Sequence, residues 1–123
     1  MKVIIKSGSF SWEAAIYDTP TGKLVYQALP LKGAANRWGG EIYFNIPVQA
    51  GLESGASDVV SRGDLGYWPT GNAFCIFFGP TPVSRGKEIR AASAVNVFGR
   101  IEGGLSDLNA VNDGDEVVIL KKD

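Results

Sequence analysis

Apolar and polar residues alternate along much of this chain with the period of a strand, and the runs are short. Phe10, Trp12, Ala14 and Ile16 alternate with Ser11, Glu13 and Ala15, which predicts a strand with one buried face. A short strand over Val3 to Ile5 is expected before it. Thr19 and Pro20 then supply a capping hydroxyl and a first-turn proline. Leu24, Val25, Ala28 and Leu29 fall on one helical face until Pro30 stops the segment. Gly22 costs this helix about 1 kcal/mol of propensity. Ala34 to Arg37 predicts another short strand, which turns at Gly39-Gly40 into the clearest alternation of the chain. Ile42, Phe44, Ile46 and Val48 lie on one side, with Tyr43 and Asn45 on the other. Pro47 puts the end of that strand near an edge.

Gln49 to Ser57 is small and polar and reads as a surface excursion, after which Val59 and Val60 restart a strand running toward Tyr67. Phe74 to Phe78 is apolar throughout, too short for a globular helix and bounded by Gly71 and Gly79, so it reads as a core strand. Trp68-Pro69-Thr70-Gly71-Asn72 is the tight turn that delivers the chain into it, with Gly71 free to take a positive φ. Pro80 and Pro82 end its pairing. Val83 to Ala92 has mixed charge and weak periodicity and is expected to be loop. Val95 to Ile101 is a strand, Leu105 to Val111 a short helical turn, and Glu116 to Lys121 a closing strand after the turn Asn112-Asp113-Gly114-Asp115. About eight short strands with one early helix and one late helical turn predict a mainly β protein, closed into a barrel rather than left as an open sheet. Residues 1–123 are expected to form one domain.

Composition narrows the chemistry. Twelve basic against thirteen acidic residues leave a net charge of −1, which argues against nucleic acid or an anionic membrane as partner. Met1 to Ile5 gives way to Lys6 and Ser7 too soon for a secretory signal, so the expected compartment is the cytoplasm. The chain has no histidine, which removes Ser-His-Asp and Cys-His catalysis and most zinc and non-haem iron sites. No metal or cofactor is expected. Carboxylate, lysine, tyrosine, arginine and backbone amides remain for chemistry. The lone Cys75 excludes an internal disulfide and reads as a small core side chain.

Three stretches carry a resemblance: Trp38-Gly39-Gly40-Glu41-Ile42-Tyr43-Phe44, Gly63-Asp64-Leu65-Gly66-Tyr67-Trp68-Pro69, and Gly71 through Pro82. With the strand order they make the chain similar to the small prokaryotic cyclophilin-like proteins, a family of no established activity. The resemblance implies a cyclophilin-like β-barrel. Against the prolyl isomerase signature of true cyclophilins, Tyr43-Phe44-Asn45-Ile46-Pro47 resembles the F-H-R strand motif, one residue short, with Asn45 at the arginine position. Gly71-Asn72-Ala73-Phe74-Cys75-Ile76 resembles the G-S-Q-F-F-I motif, with Ala73 at the substrate-binding glutamine and Cys75 at the pocket phenylalanine. Isomerisation relies on a guanidinium that relieves the double-bond character of the proline amide, and asparagine carries no such charge. Arg37, Arg62, Arg85, Arg90 and Arg100 are the residues able to replace it from another strand.

The resemblance implies a groove on the barrel face lined by Tyr43, Asn45, Tyr67, Trp68, Ala73, Cys75 and Phe77. The expected occupant is a small molecule or short peptide, bound without processing. The alternative is a peptidyl-prolyl isomerase, or another enzyme using arginine and carboxylate groups in the same groove. Tyr67 and Trp68 beside the proline turn either plug a barrel end or line the groove. Asp64 is expected to cap backbone amides, Asp113-Gly114-Asp115 to form a hairpin turn rather than a cation loop, and Glu41, beside Trp38, to be an exposed strand-end carboxylate rather than a groove rim.

Overall fold

The computed structural model describes residues 1–122. Its ten strands are β1 Lys2–Ser7, β2 Phe10–Ile16, β3 Leu31–Ala34, β4 Asn36–Trp38, β5 Glu41–Asn45, β6 Ser57–Val60, β7 Asp64–Trp68, β8 Ala73–Phe77, β9 Ile89–Glu102 and β10 Glu116–Lys121. One helix, α1 Pro20–Gln27, and two 3₁₀ turns, Pro69–Gly71 and Ser106–Ala110, complete the regular structure. Every strand pair is antiparallel, in the order β3-β10-β1-β2-β9-β7-β8-β5-β4, with β6 paired to β9 off this path.

The expected closed barrel of about eight strands is corrected here. The path is open: no ladder joins its ends, β3 and β4. These ends are successive in the chain, separated by Ala35, which donates to Asp115 O at 2.8 Å and accepts from Gly114 N at 2.8 Å. Arg37 adds a stitch at the same place: Nη1 donates to Val111 O at 2.9 Å, Nε donates to Gly39 O at 2.6 Å, and the guanidinium lies over Phe78.

Helix α1 begins as its sequence requires. Thr19 is the N-cap and its Oγ1 accepts from Gly22 N at 3.0 Å, with Pro20 in the first turn. Val25 is buried but Leu24 is exposed, so the apolar face is narrower than the sequence suggested. The stretch after Gln49 is held rather than free. Buried Asn96 of β9 donates to Thr21 Oγ1 at 3.0 Å and Gly51 O at 2.9 Å, and accepts from Glu53 N at 2.8 Å. Glu53 in turn accepts from the backbone and hydroxyl of Thr21.

The strand expected over Ala34 to Arg37 is broken at Ala35 into the end of β3 and the start of β4, and two further expectations change. The segment expected to be loop supplies Ile89 to Ala92 as the start of β9, with Ile89 and Ala91 buried and Arg90 and Ala92 less so. Its period of two was concealed by charge. Secondly, the strand expected from Val59 to Tyr67 is two strands, because Ser61 to Gly63 makes a turn in which Ser61 N donates to Asp64 Oδ2 at 2.8 Å. Asp64 thus caps a backbone amide, as its sequence context indicates.

The sheet sorts its side chains into two apolar clusters. Ile42, Phe44, Leu65, Tyr67, Phe74, Ile76 and Phe98 belong to the main core, with Phe74 stacked on Phe44 at 5.3 Å and edge-on to Phe98 at 5.1 Å. Ala73, Cys75 and Phe77 point the other way and form a second cluster with Val60, Ile89, Ala91 and Val95, against which Tyr43 and Trp68 pack. Burial on both faces explains why β8 reads as an unbroken apolar run.

Candidate functional site

The second cluster exists because β9 changes partners. Its N-terminal part pairs with β6, Val60 opposite Ile89 and Ser57 opposite Val95, and its later part pairs with β7 and β2. The β7–β9 register shifts between Leu65 and Gly66, the kind of irregularity that bends a strand. The early half of β9 therefore covers the face of β5 and β8 that the core leaves free. A cavity of about 90 Å³ remains beneath it, lined by Trp38, Glu41, Tyr43, Trp68, Ala91, Ala92 and Val95.

Each wall has a local cause. Trp38 stands opposite Glu41 across the Gly39-Gly40 hairpin, and Tyr43 stands opposite Cys75 between β5 and β8. Gly40 has no alternative residue: a Cβ there would lie 2.3 Å from the backbone carbon of Gly79. Trp68 ends β7, and its Nε1 donates to Ser93 Oγ at 2.6 Å, tying the wall from β7 to the cover from β9. Tyr43 and Trp68 meet edge to face, centroids 6.4 Å apart and planes at 75°. Gly71 carries no side chain because a Cβ would lie 2.8 Å from the Trp68 ring. The positive φ expected at Gly71 occurs instead at Asn72, at 46°.

Glu41 is the chemically distinctive residue of this cavity. It is 5% exposed, against the expectation of an exposed strand-end carboxylate. Its carboxyl takes part in no ion pair among the described residues, and the polar group beside it is the Cys75 thiol. Burial raises it from the ordinary 4.5 to about 7, an effect that the thiol partly offsets. Burial, and then the neighbouring Glu41, push Cys75 well above its ordinary 9.0, so this thiol stays protonated and poorly nucleophilic.

The residues singled out from sequence divide into three groups. Tyr43 and Trp68 line the cavity, while Ala73, Cys75 and Phe77 lie in the same cluster behind it. Asn45 is on that face but exposed at the strand end, where Nδ2 donates to Gly71 O. Tyr67 is corrected as a groove residue: it is fully buried in the main core, its hydroxyl bonded to Val48 O and Asn72 Oδ1. Adjacent strand residues face opposite sides, so Tyr67 and Trp68 cannot share one groove. From sequence Glu41, beside Trp38, reads as an exposed carboxylate ahead of a groove rim, and the three β9 residues were missed as wall. The available signal was Glu41 in phase with Tyr43, one carboxylate on a face whose partners across the ladder, Cys75 and Phe77, are apolar.

The candidate arginines are engaged elsewhere. Arg62 Nε donates to Phe78 O, Arg90 pairs with Asp58 and Glu88, Arg100 lies 3.6 Å from Asp64, and Arg85 is exposed. With Arg37 bonded to backbone carbonyls, no arginine lines the cavity. A second, broader depression of about 580 Å³ lies at the β1–β2 turn, lined by residues such as Ser7, Gly8, Ala110 and Glu116. Phe10 is its single aromatic wall against three around the smaller cavity, which is therefore the better candidate. No group of three metal-ligating residues occurs among the described residues, and no helix among them is long and apolar enough to cross a membrane.

An antiparallel sheet with a helix across one face and an aromatic cavity on the other defines a small β-rich scaffold. The family model described as Cyclophilin-like matches residues 1–120, and the chain belongs to that family. Among solved structures it is similar to the hypothetical protein AF2241 from Archaeoglobus fulgidus. The two are 45% identical, with a TM-score of 0.83 over 99% of this chain and 95% of that one. No curated protein matches.

Proposed function

We propose that this cyclophilin-like protein binds a small molecule or short peptide in the cavity bounded by Trp38, Glu41, Tyr43 and Trp68, without processing it. One observation carries this reading: a buried carboxyl with no ion-pair partner opens into an aromatic-walled space. A carboxyl so placed costs stability, since its charged form is desolvated without compensation. Such a cost is characteristic of functional sites rather than of packing.

The isomerase alternative has less support. The position that resembles the catalytic arginine is Asn45, which is tied to Gly71 O outside the cavity, and no arginine lines the walls. A protease-coupled assay on a proline peptide is expected to give the uncatalysed rate. Rate enhancement abolished by substitution in the cavity would restore the enzyme reading.

Crystals soaked with a fragment library test the binding reading directly. Density is expected between Trp38, Tyr43 and Trp68. Occupancy confined to the depression at the β1–β2 turn, or none at all, would remove it.

A further inference from the structure

The cavity's charge pattern says what kind of group it suits. Its walls carry a carboxyl and three aromatic rings, and neither lysine nor arginine is among them. Tyr43 and Trp68 stand nearly at right angles, two adjacent walls of a box. Aromatic faces are negative at their centres and attract cations, most strongly when water is excluded. The space of about 90 Å³ is well below the several hundred Å³ usual for a drug-sized ligand, so it has room for a head group rather than a whole molecule of that size. A carboxylate ligand would meet Glu41 with like charge. A neutral apolar group would leave Glu41 buried and unpaired.

Resting on the binding reading above, we infer that the occupant presents an alkylated ammonium group, held against Glu41 and boxed by Trp38, Tyr43 and Trp68. The group itself has two sources, a free small amine or a methylated lysine side chain of a peptide. The ligand's charge supplies what the protein lacks, because the guanidinium groups of Arg37, Arg62, Arg90 and Arg100 are bonded elsewhere. The titratable groups facing Glu41 are Tyr43 on its own strand and Cys75 on β8. The walls from β7 and β9, namely Trp68, Ala91, Ala92 and Val95, contribute none. A cation binds ionised Glu41, so affinity should rise as pH increases from about 6 to about 8 and then level.

The test is heteronuclear NMR on the full chain, reading the three indole N–H signals. Trp12, buried in the main core and not among the cavity walls, is the internal control. The probes are choline, its neutral carbon isostere dimethylbutanol, and a peptide carrying trimethyllysine. Choline is expected to shift Trp38 and Trp68 saturably, leave Trp12 in place, and bind about tenfold more tightly than the alcohol. Glu41→Gln should remove both that preference and the pH dependence. Tighter binding of the peptide than of choline assigns the cation to a protein side chain, and the converse to a free molecule. Equal binding of choline and the alcohol by the unaltered protein overturns the cation inference and leaves the cavity a binder of neutral groups. If no probe and no member of a neutral fragment set moves Trp38 or Trp68, the binding reading fails as well.

Discussion

Glu41 shows how one residue's environment sets a measurable property of the whole protein. Its folded value of about 7 lies above the ordinary 4.5, so the fold favours the neutral carboxyl. The associated stability is complete below 4.5 and is lost as pH rises through 7. From the shift, the loss is on the order of 3 kcal/mol. Glu41→Gln keeps the shape and removes the charge. The variant is expected to match the parent in thermal melts near pH 4.5 and to exceed it above 7, by up to that amount. A variant no more stable than the parent at the higher pH would place the carboxyl in water. A second residue-scale prediction concerns Gly71, where the backbone tolerates a side chain but the Trp68 ring does not. Gly71→Ala should displace Trp68, change its fluorescence and weaken fragment binding, at a folding cost of only about 1 kcal/mol. Unchanged emission would count against this packing.

Elements were legible where their pattern is local. The Thr19–Pro20 helix start, the Phe10–Ile16 strand, the Gly39-Gly40 hairpin and the Glu116–Lys121 strand lie where alternation and capping put them. The face carrying Tyr43, Ala73, Cys75 and Phe77 was legible too, because successive strand side chains point to opposite sides. The same rule separates Tyr67 from Trp68, and an aromatic pair in sequence is not an aromatic pair in space. What alternation could not give was the cover. Ile89 to Ala92 carries a strand's period, but Glu88 and Arg90 interrupt its apolar character, and Arg90 is satisfied only by Asp58 from β6 and neighbouring Glu88. At this scale Asn96 is the joint between β9, α1 and the segment near Glu53. Asn96→Ala should cost roughly 2–3 kcal/mol, since it orphans buried partners. Hydrogen exchange in residues 49–56 should quicken ahead of exchange in the strands. Uniform quickening would mean that the segment is not held through this side chain.

At the scale of the whole molecule, two close backbone approaches hold the sheet in its shape. Gly40 lies against Gly79 and Gly99 against Ala15 O, where a Cβ would come within 2.3 Å and 2.5 Å. Gly40→Ala should therefore force β5 from its contact with the chain leaving β8 and destabilise the fold by roughly 3 kcal/mol or more. Denaturant unfolding measures this, and a loss below about 1 kcal/mol would show that the approach yields easily. Sequence by itself determined the mainly β character, the helix start and the alternation within each strand it located, because these depend on neighbours along the chain. Tertiary structure alone decided that the ladder path stays open between β3 and β4, and that β9 folds its early half over β5 and β8. That second decision buries Glu41, and burial depends on atoms brought from some fifty residues away in the chain, against which no local pattern is written.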